Sequence, residues 1–263
     1  MTNTPDEKLK DRVDVYLLGS GIFSFQDLTL ETLQLLRGVC KRVCYLHNIP
    51  SFEEYLKKIG PQTDNLIKLY YRDGRDRNDI YNDIVNHVIS RCLESPNNRP
   101  IALLLHGHPL VFSTISQMLI SQCEQQHLKI KALPGISSLD RMFVDLNLDI
   151  GDNGIQVFLA GQVITKAAIP SPKVGLILFQ IRGPTNNLSL RTQPPDKNDA
   201  IALKNSLLSY YPPEHQVFIV ESAIELGFSS KVIRIPLSSL ESAYEYFNYN
   251  SSLYVPPYQQ HDG

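Results

Sequence analysis

Short, wholly apolar runs alternate with amphipathic segments along the first half of the chain. Residues 13–18 (VDVYLL), 43–46, 66–71 and 101–105 (IALLL) read as strands. The last is the clearest, because five apolar residues bounded by turn residues are the pattern of a strand buried on both faces of a covered parallel sheet. Between the runs the spacing turns helical. Leu30, Leu33 and Leu36 recur along one helical stripe behind Thr29, which is placed to cap it. Ser51 and Glu54 read as a capping box for FEEYLKKI, which ends at Gly60-Pro61. In IYNDIVNHVISRCL, the residues Tyr81, Val85, Val88 and Cys92 fall on one face. A turn at Asn97–Pro100 leads into 101–105, Val111-Phe112 open a helix-like segment that runs through 115–124, and a strand lies near Ile130. Strands alternating with helices imply a parallel sheet with right-handed crossovers.

The pattern changes after Pro134-Gly135-Ile136-Ser137-Ser138. Ser137 or Ser138 can cap a helix through Leu146. Strands are then expected at 156–160, 174–181, 216–221, 231–235 and near Leu253, with one clear long helix at 199–210. Strand-rich sequence with a single long crossover suggests a mixed sheet. The fold class is therefore α/β with two domains. An N-terminal α/β domain with a parallel sheet and flanking helices spans 12–135, and a C-terminal α/β domain with a mixed sheet spans 136–257. The ends, 1–11 and 258–263, are expected to be flexible tails.

Composition narrows the class. With 263 residues, 43% of them hydrophobic, the chain can bury one large core or two modest ones. A formal net charge of −2 gives no support for nucleic-acid or anionic-membrane binding. No apolar run reaches spanning length and the N-terminus MTNTPDEKLKDR is too polar for a signal peptide, so a soluble, cytoplasmic protein is expected. The four cysteines, Cys40, Cys44, Cys92 and Cys123, lack zinc-site spacing and read as buried thiols. Repeats and low-complexity tracts are absent.

Gly19-Ser20-Gly21 follows the first strand, which invites a dinucleotide reading. Ser24 stands where a third glycine would fall, and the second strand ends in Tyr45-Leu46-His47 without an acidic residue; both features argue against NAD. Gly107 lets the backbone come close to a ligand, and Pro109 fixes the turn after the central strand. His108 reads by itself as a loop hydrogen-bonder.

A strand followed by Gly107-His108-Pro109-x-Val111-Phe112, and later by Leu133-Pro134-Gly135-Ile136-Ser137-Ser138, resembles the tetrapyrrole (corrin/porphyrin) methylase superfamily. Within it, the stretch from Leu69 to Tyr81 is most similar to the borosin-type peptide backbone α-N-methyltransferases: a tyrosine, a loop with Asp73 and Gly74, then Arg-x-Asp-x-Tyr. The resemblance runs from Val13 to about Pro257. It implies a two-domain tetrapyrrole-methylase-like fold and the cofactor S-adenosyl-L-methionine, which leaves as S-adenosyl-L-homocysteine. It assigns catalysis to Tyr71, Arg77 and Tyr81. It assigns cofactor binding to His106, Gly107, His108, Val111, Phe112, Ser137, Gln180, Ala223 and Leu253, with no metal. His106 departs from the tyrosine that the best-known relatives carry there, and Leu110 replaces a small residue.

The chemistry asks for such a trio. An amide nitrogen is a poor nucleophile because its lone pair is delocalised into the carbonyl. It must lose its proton as it attacks, while charge grows on the oxygen. A guanidinium can stabilise that oxygen, and a phenol near a fixed cation is a better base than a free one. Arg77 and Tyr81, four apart at a helix start, project from one face.

Fused borosin enzymes carry their substrate peptide on a C-terminal extension. This chain ends at Gly263, so the likeness is to the split type, which methylates a separate precursor peptide in trans; an intertwined homodimer is implied as well. Two other functions stay open at this point: a methylase of a tetrapyrrole or other small molecule, and a non-catalytic methylase-like binding protein.

Overall fold

The computed structural model describes residues 13–184, 187–189 and 191–258. Of the expected tails 1–11 and 258–263, residues 1–11 and 259–263 lie outside the described residues, while Tyr258 N–H donates to Pro172 O at 2.7 Å. The described chain forms two compact units. One holds the residues up to Tyr71 together with Arg77–Ser138 and Ile224–Leu226; the other holds Arg72–Asp76, Leu139–Ala223 and the residues from Gly227 onward.

The first unit is built on a five-stranded parallel sheet: β1 (Val15–Gly19), β2 (Arg42–Leu46), β3 (Gln62–Asn65), β4 (Ile101–Leu105) and β5 (Ile130–Ala132), in the order β3-β2-β4-β1-β5. All five residues of β4 are buried, as its apolar run requires. Successive side chains of a strand point to opposite faces. Val15, Leu17, Ile101 and Leu103 thus join one core with Ile80, Ile84 and Val88 of α4 (Arg77–Glu94) and Leu119 of α5 (Thr114–Gln125). Leu18, Ala102 and Leu104 join the other core with Leu36 of α1 (Leu30–Gly38) and Phe52 and Leu56 of α2 (Pro50–Ile59). Burying a leucine-sized side chain this completely contributes about 2 kcal/mol each before entropy is counted.

Three local expectations are corrected. Residues 66–71 do not form a strand. Asn65 accepts from the Lys68 N–H at 3.1 Å and caps a one-turn helix, α3 (Leu66–Tyr70), while the strand is the preceding Gln62–Asn65. That strand is at the sheet edge, so it carries no apolar signal. The capping box at Ser51 is absent. Pro50 starts α2 two residues before the expected Phe52, behind Ile49, and the Ser51 hydroxyl instead lies 3.0 Å from Ser24 Oγ. Val111 and Phe112 precede the helix; Ser113 is its cap, and Phe112 is left-handed with φ 49°.

The second unit begins with α6 (Ser138–Leu146) and a short α7 (Ile150–Asn153). Its mixed sheet is ordered β6-β7-β10-β8-β9, from β6 (Ile155–Leu159), β7 (Gly175–Phe179), β8 (Gln216–Glu221), β9 (Lys231–Pro236) and β10 (Ser251–Val255). Only β6 and β7 pair in parallel. One face is covered by α9 (Lys197–Leu207) and a 3-10 segment, Leu237–Tyr246; α8 (Ala160–Ile164) also joins that core. Met142 of α6 packs on the opposite face with Ile177, Phe179 and Val220.

Candidate active site

In the first unit, the chain leaves β1 and β2 toward the β3 edge but leaves β4 toward the β5 edge, so the direction of winding reverses beside β4. Ligands of open α/β sheets sit outside the carboxyl ends of the strands at such a reversal. Three loops meet there. Gly107 N–H donates to Gly21 O at 2.8 Å, Gly21 N–H to Gly107 O at 3.3 Å, and Ser20 N–H to Leu105 O at 2.8 Å. A Cβ on Gly19 would stand 2.4 Å from Gly107 O and 3.0 Å from the Gly135 Cα. The glycines of the first strand's turn, of Gly-His-Pro and of Pro-Gly-Ile are what lets these main chains touch.

The apolar side chains at this rim are unusually open. Leu110, Val111, Phe112 and Ile136 are all between 36% and 43% exposed, Ser137 is buried, and His106 is exposed. His108 Nδ1 accepts from Leu110 N–H at 3.1 Å, which leaves Nε2 as the protonated nitrogen of the neutral ring. Exposed apolar faces among main-chain polar groups suit a ligand with a flat heterocycle and a ribose, so the residues fit an adenosyl group.

Tyr71 is the residue that ends α3, with φ −74° and ψ 120°, and its N–H donates to Ile67 O at 3.1 Å. Arg77 opens α4 and Tyr81 follows one turn later, so the two share a helix face. Tyr71 and Tyr81 are half-buried against the same core cluster, and Arg77 is half-buried too. The trio thus stands on two consecutive helices of one unit.

Behind it lies a polar network missed in the sequence. Tyr70 Oη is 2.8 Å from His87 Nδ1, and His87 Nε2 is 3.0 Å from Asp64 Oδ2. Arg42 Nη1 grips both Asp64 oxygens at 2.8 Å, and Arg91 Nε lies 3.8 Å away. Burial would raise the Asp64 carboxyl, but the His87 hydrogen bond and Arg42 outweigh it and hold the group below the ordinary carboxylate range. Cys44, Asp64 and His87 offer donor atoms within 4.8 Å of one another. Two guanidiniums already neutralise the carboxylate, and burial, aided by Asp64, pushes the Cys44 thiol up to about 12. Such a set is a hydrogen-bonded clamp rather than a dication site.

In the second unit, Arg72–Asp76 is stitched to Asn187, Ser189 and Thr192. Gly74 N–H donates to Ser189 O and Ser189 N–H to Arg75 O, both at 2.8 Å. Asp73 accepts from Thr192 N–H at 3.1 Å and from its hydroxyl, and Asn187 Nδ2 reaches Asp76 at 2.8 Å. The Asp73-Gly74 motif therefore shapes a loop; Gly74 has φ 81°. Gln180 stands just past β7, exposed and left-handed at φ 54°, rather than inside the strand. Ala223 N–H donates to Ser230 Oγ at 2.9 Å. Leu253 is fully buried in β10, so its side chain faces the core and only its main chain is left for a ligand.

Residues 14–238 match the family model of the Tetrapyrrole (Corrin/Porphyrin) Methylases. A methyltransferase/ribosomally synthesized type II borosin cyclic peptide precursor of Phlebiopsis gigantea is 27% identical over 245 residues, 92% of this chain and 42% of that protein. The chain spans less than two thirds of the length of such curated relatives, 59% of a type I counterpart from Gymnopilus junonius. Among solved structures, uroporphyrin-III-C-methyltransferase from Thermus thermophilus superposes with a TM-score of 0.63 at 19% identity, covering 94% of this chain and 97% of that one. A crystal of the uroporphyrin-III C-methyltransferase from the same organism, complexed with S-adenyl homocysteine, matches with a TM-score of 0.58 at 16% identity, over 92% and 91% of the two chains. Among the described residues no helix is long and apolar enough to cross a membrane.

Proposed function

This chain belongs to the tetrapyrrole (corrin/porphyrin) methylases, and from that premise we propose that it is an S-adenosylmethionine-dependent methyltransferase whose acceptors are backbone amide nitrogens of a ribosomal precursor peptide, methylated iteratively. The observation that carries the reading is the trio Tyr71, Arg77 and Tyr81 on adjoining helices of the first unit, in the order borosin enzymes have it. The 27% identity over 92% of the chain to a borosin precursor supports the peptide acceptor. A neighbour of the same fold crystallised with S-adenyl homocysteine supports the methyl donor.

S-adenosylmethionine, when bound, supplies an electrophilic methyl group on a sulfonium. The residues proposed to hold it in the first unit are His106, Gly107, His108, Val111, Phe112 and Ser137; in the second unit they are Gln180, Ala223 and Leu253. Arg77 is proposed to place its guanidinium against the carbonyl oxygen of the reacting peptide unit, where negative charge grows. Tyr71 or Tyr81, in its phenolate form, would take the amide proton while the nitrogen receives the methyl group that the cofactor would supply. The products are an N-methyl amide and S-adenosylhomocysteine. The peptide is proposed to come as a separate chain and the enzyme to act as a homodimer in the cytoplasm.

Methylation of a tetrapyrrole carbon is the competing reading, and it needs no base-and-guanidinium set of this kind. The test is to incubate the purified chain with S-adenosylmethionine and a peptide encoded near it, then fragment the product. Mass increments of one methyl located on backbone nitrogens are expected. Methyl groups on carbon or side-chain atoms, or turnover of a uroporphyrin with none of the peptide, would overturn the assignment.

A further inference from the structure

β2 and β4 are neighbours in register, Leu46 opposite Leu105, and each strand is followed at once by a histidine. His47 is 2% exposed and lies flat on Phe52, with ring centroids 4.2 Å apart and planes 6° from parallel. His106 is exposed and meets it edge-on, the planes at 83°, with His106 Nδ1 3.2 Å from His47 Nε2. The other nitrogen of His47, Nδ1, is buried and has no hydrogen-bond partner.

These contacts decide where the protons sit. One nitrogen of the pair at 3.2 Å must donate and the other accept. If His106 donated, the single proton of neutral His47 would be on Nδ1, where a buried N–H has nothing to bond. If His47 donates from Nε2, Nδ1 is a bare lone pair, which burial tolerates better than an orphaned N–H. The second arrangement is therefore favoured. It makes His106 Nδ1 an acceptor and puts the His106 proton on Nε2. Burial, reinforced by His106, also takes His47 down to about 3, so His47 is neutral throughout the working pH range.

We propose that His47 is a positioning residue that locks His106 in the Nε2–H tautomer, so that the turn before Gly107 presents a neutral N–H donor to an acceptor oxygen. The oxygen comes from the peptide carbonyl or from the cofactor's carboxylate; this functional half rests on the methyltransferase reading, and the tautomer itself does not. A neutral donor can polarise an oxygen without offering a competing acid near the base.

The experiment uses the full chain labelled with 15N-histidine. Long-range proton–nitrogen correlations are expected to show His106 with a protonated Nε2 and a bare Nδ1. His47→Phe keeps the stack on Phe52 but removes the donor to Nδ1, and should raise the share of His106 protonated on Nδ1. His47→Gln, whose amide lies near Nε2, should restore the single form. A wild-type His106 protonated on Nδ1, or a signal unchanged in His47→Phe, overturns the proposal whether or not the chain methylates peptides. In the functional arm, His106→Gln should keep the donor and His106→Asn should lose it. The expected loss is about tenfold. It appears in kcat/KM for the peptide with S-adenosylhomocysteine affinity intact if the oxygen is the peptide's, and in that affinity if it is the cofactor's. Equal values for both variants and wild type in both measurements would overturn the role of His106.

Discussion

Tyr70 and His87 hold consecutive helices together: the phenol oxygen at the end of α3 lies 2.8 Å from Nδ1 of a ring just past the middle of α4, and Asp64 on β3 accepts at the ring's other nitrogen, 3.0 Å away. Tyr71 follows Tyr70, while Arg77 and Tyr81 share α4 with His87, so this chain of bonds fixes the proposed catalytic residues with respect to one another. Because Asp64 titrates below the ordinary carboxylate range, it stabilises the fold above pH ~4, the unfolded value, and that contribution is lost as pH falls through the lower folded value. Asp64→Asn should cost about 1–3 kcal/mol at pH 7 by leaving Arg42 without its carboxylate. The gap to wild type in urea midpoint should close toward pH 3. A gap that stays constant with pH would show that the carboxylate charge is not what the network uses.

The trio makes a second prediction. Arg77→Lys keeps the charge but loses the planar donor pair, and should lower kcat by about a hundredfold. Replacing the proton-accepting tyrosine by Phe, at Tyr71 or Tyr81, should lower it by a factor on the order of 10²–10⁴. Calorimetric affinity for S-adenosylhomocysteine should stay within about twofold of wild type, since these residues are proposed to act on the acceptor. Full peptide methylation by both Tyr→Phe variants would remove the base from the mechanism.

How much of this was legible follows from where burial is complete. β1 and β4 are covered on both faces and appear in the sequence as unbroken apolar runs. The edge strand β3 reads Gln-Thr-Asp-Asn, so the apolar Leu66–Tyr70 beside it drew the strand assignment although it folds as a helical turn. The buried residues Leu237, Leu240 and Ala243 recur every third position, the 3-10 period, which matches neither the helical nor the strand template. Tyr71, Arg77 and Tyr81 were readable as a motif because they are close in sequence. The contacts of Asp73 with Thr192 and of His47 with His106 were not, since each depends on chain segments brought together only by the fold. A hint existed for the second pair: two adjacent parallel strands each run straight into a histidine.

The cysteines give a third prediction. All four are free and buried, and burial pushes Cys40, Cys44 and Cys123 up to about 12. The thiolate is the reactive form, so at pH 8 the folded chain should react with a disulfide reagent far more slowly than a free thiol. Four thiols should become reactive together on unfolding in guanidinium. Rapid labelling of one cysteine in the folded chain would place it outside the core assigned to it.

Two glycines separate a structural need from mere occupancy. At Gly38, the last residue of α1, an added Cβ meets nothing within 4 Å, so Gly38→Ala should be neutral or stabilise by about 0.5–1 kcal/mol through the unfolded chain. At Gly19 the same atom would stand 2.4 Å from Gly107 O, 3.0 Å from the Gly135 Cα and 3.0 Å from Pro109 Cδ. Backbone on two sides cannot rotate away. Gly19→Ala must therefore push the Gly-His-Pro loop off β1, at a cost of about 1–3 kcal/mol for overpacking. The loop carries His106, Val111 and Phe112, so S-adenosylhomocysteine affinity should fall with stability. Thermal unfolding and calorimetry on the two variants check both parts. If Gly19→Ala binds and unfolds like wild type, the three loops do not meet through their glycines, and the rim described for the site is wrong.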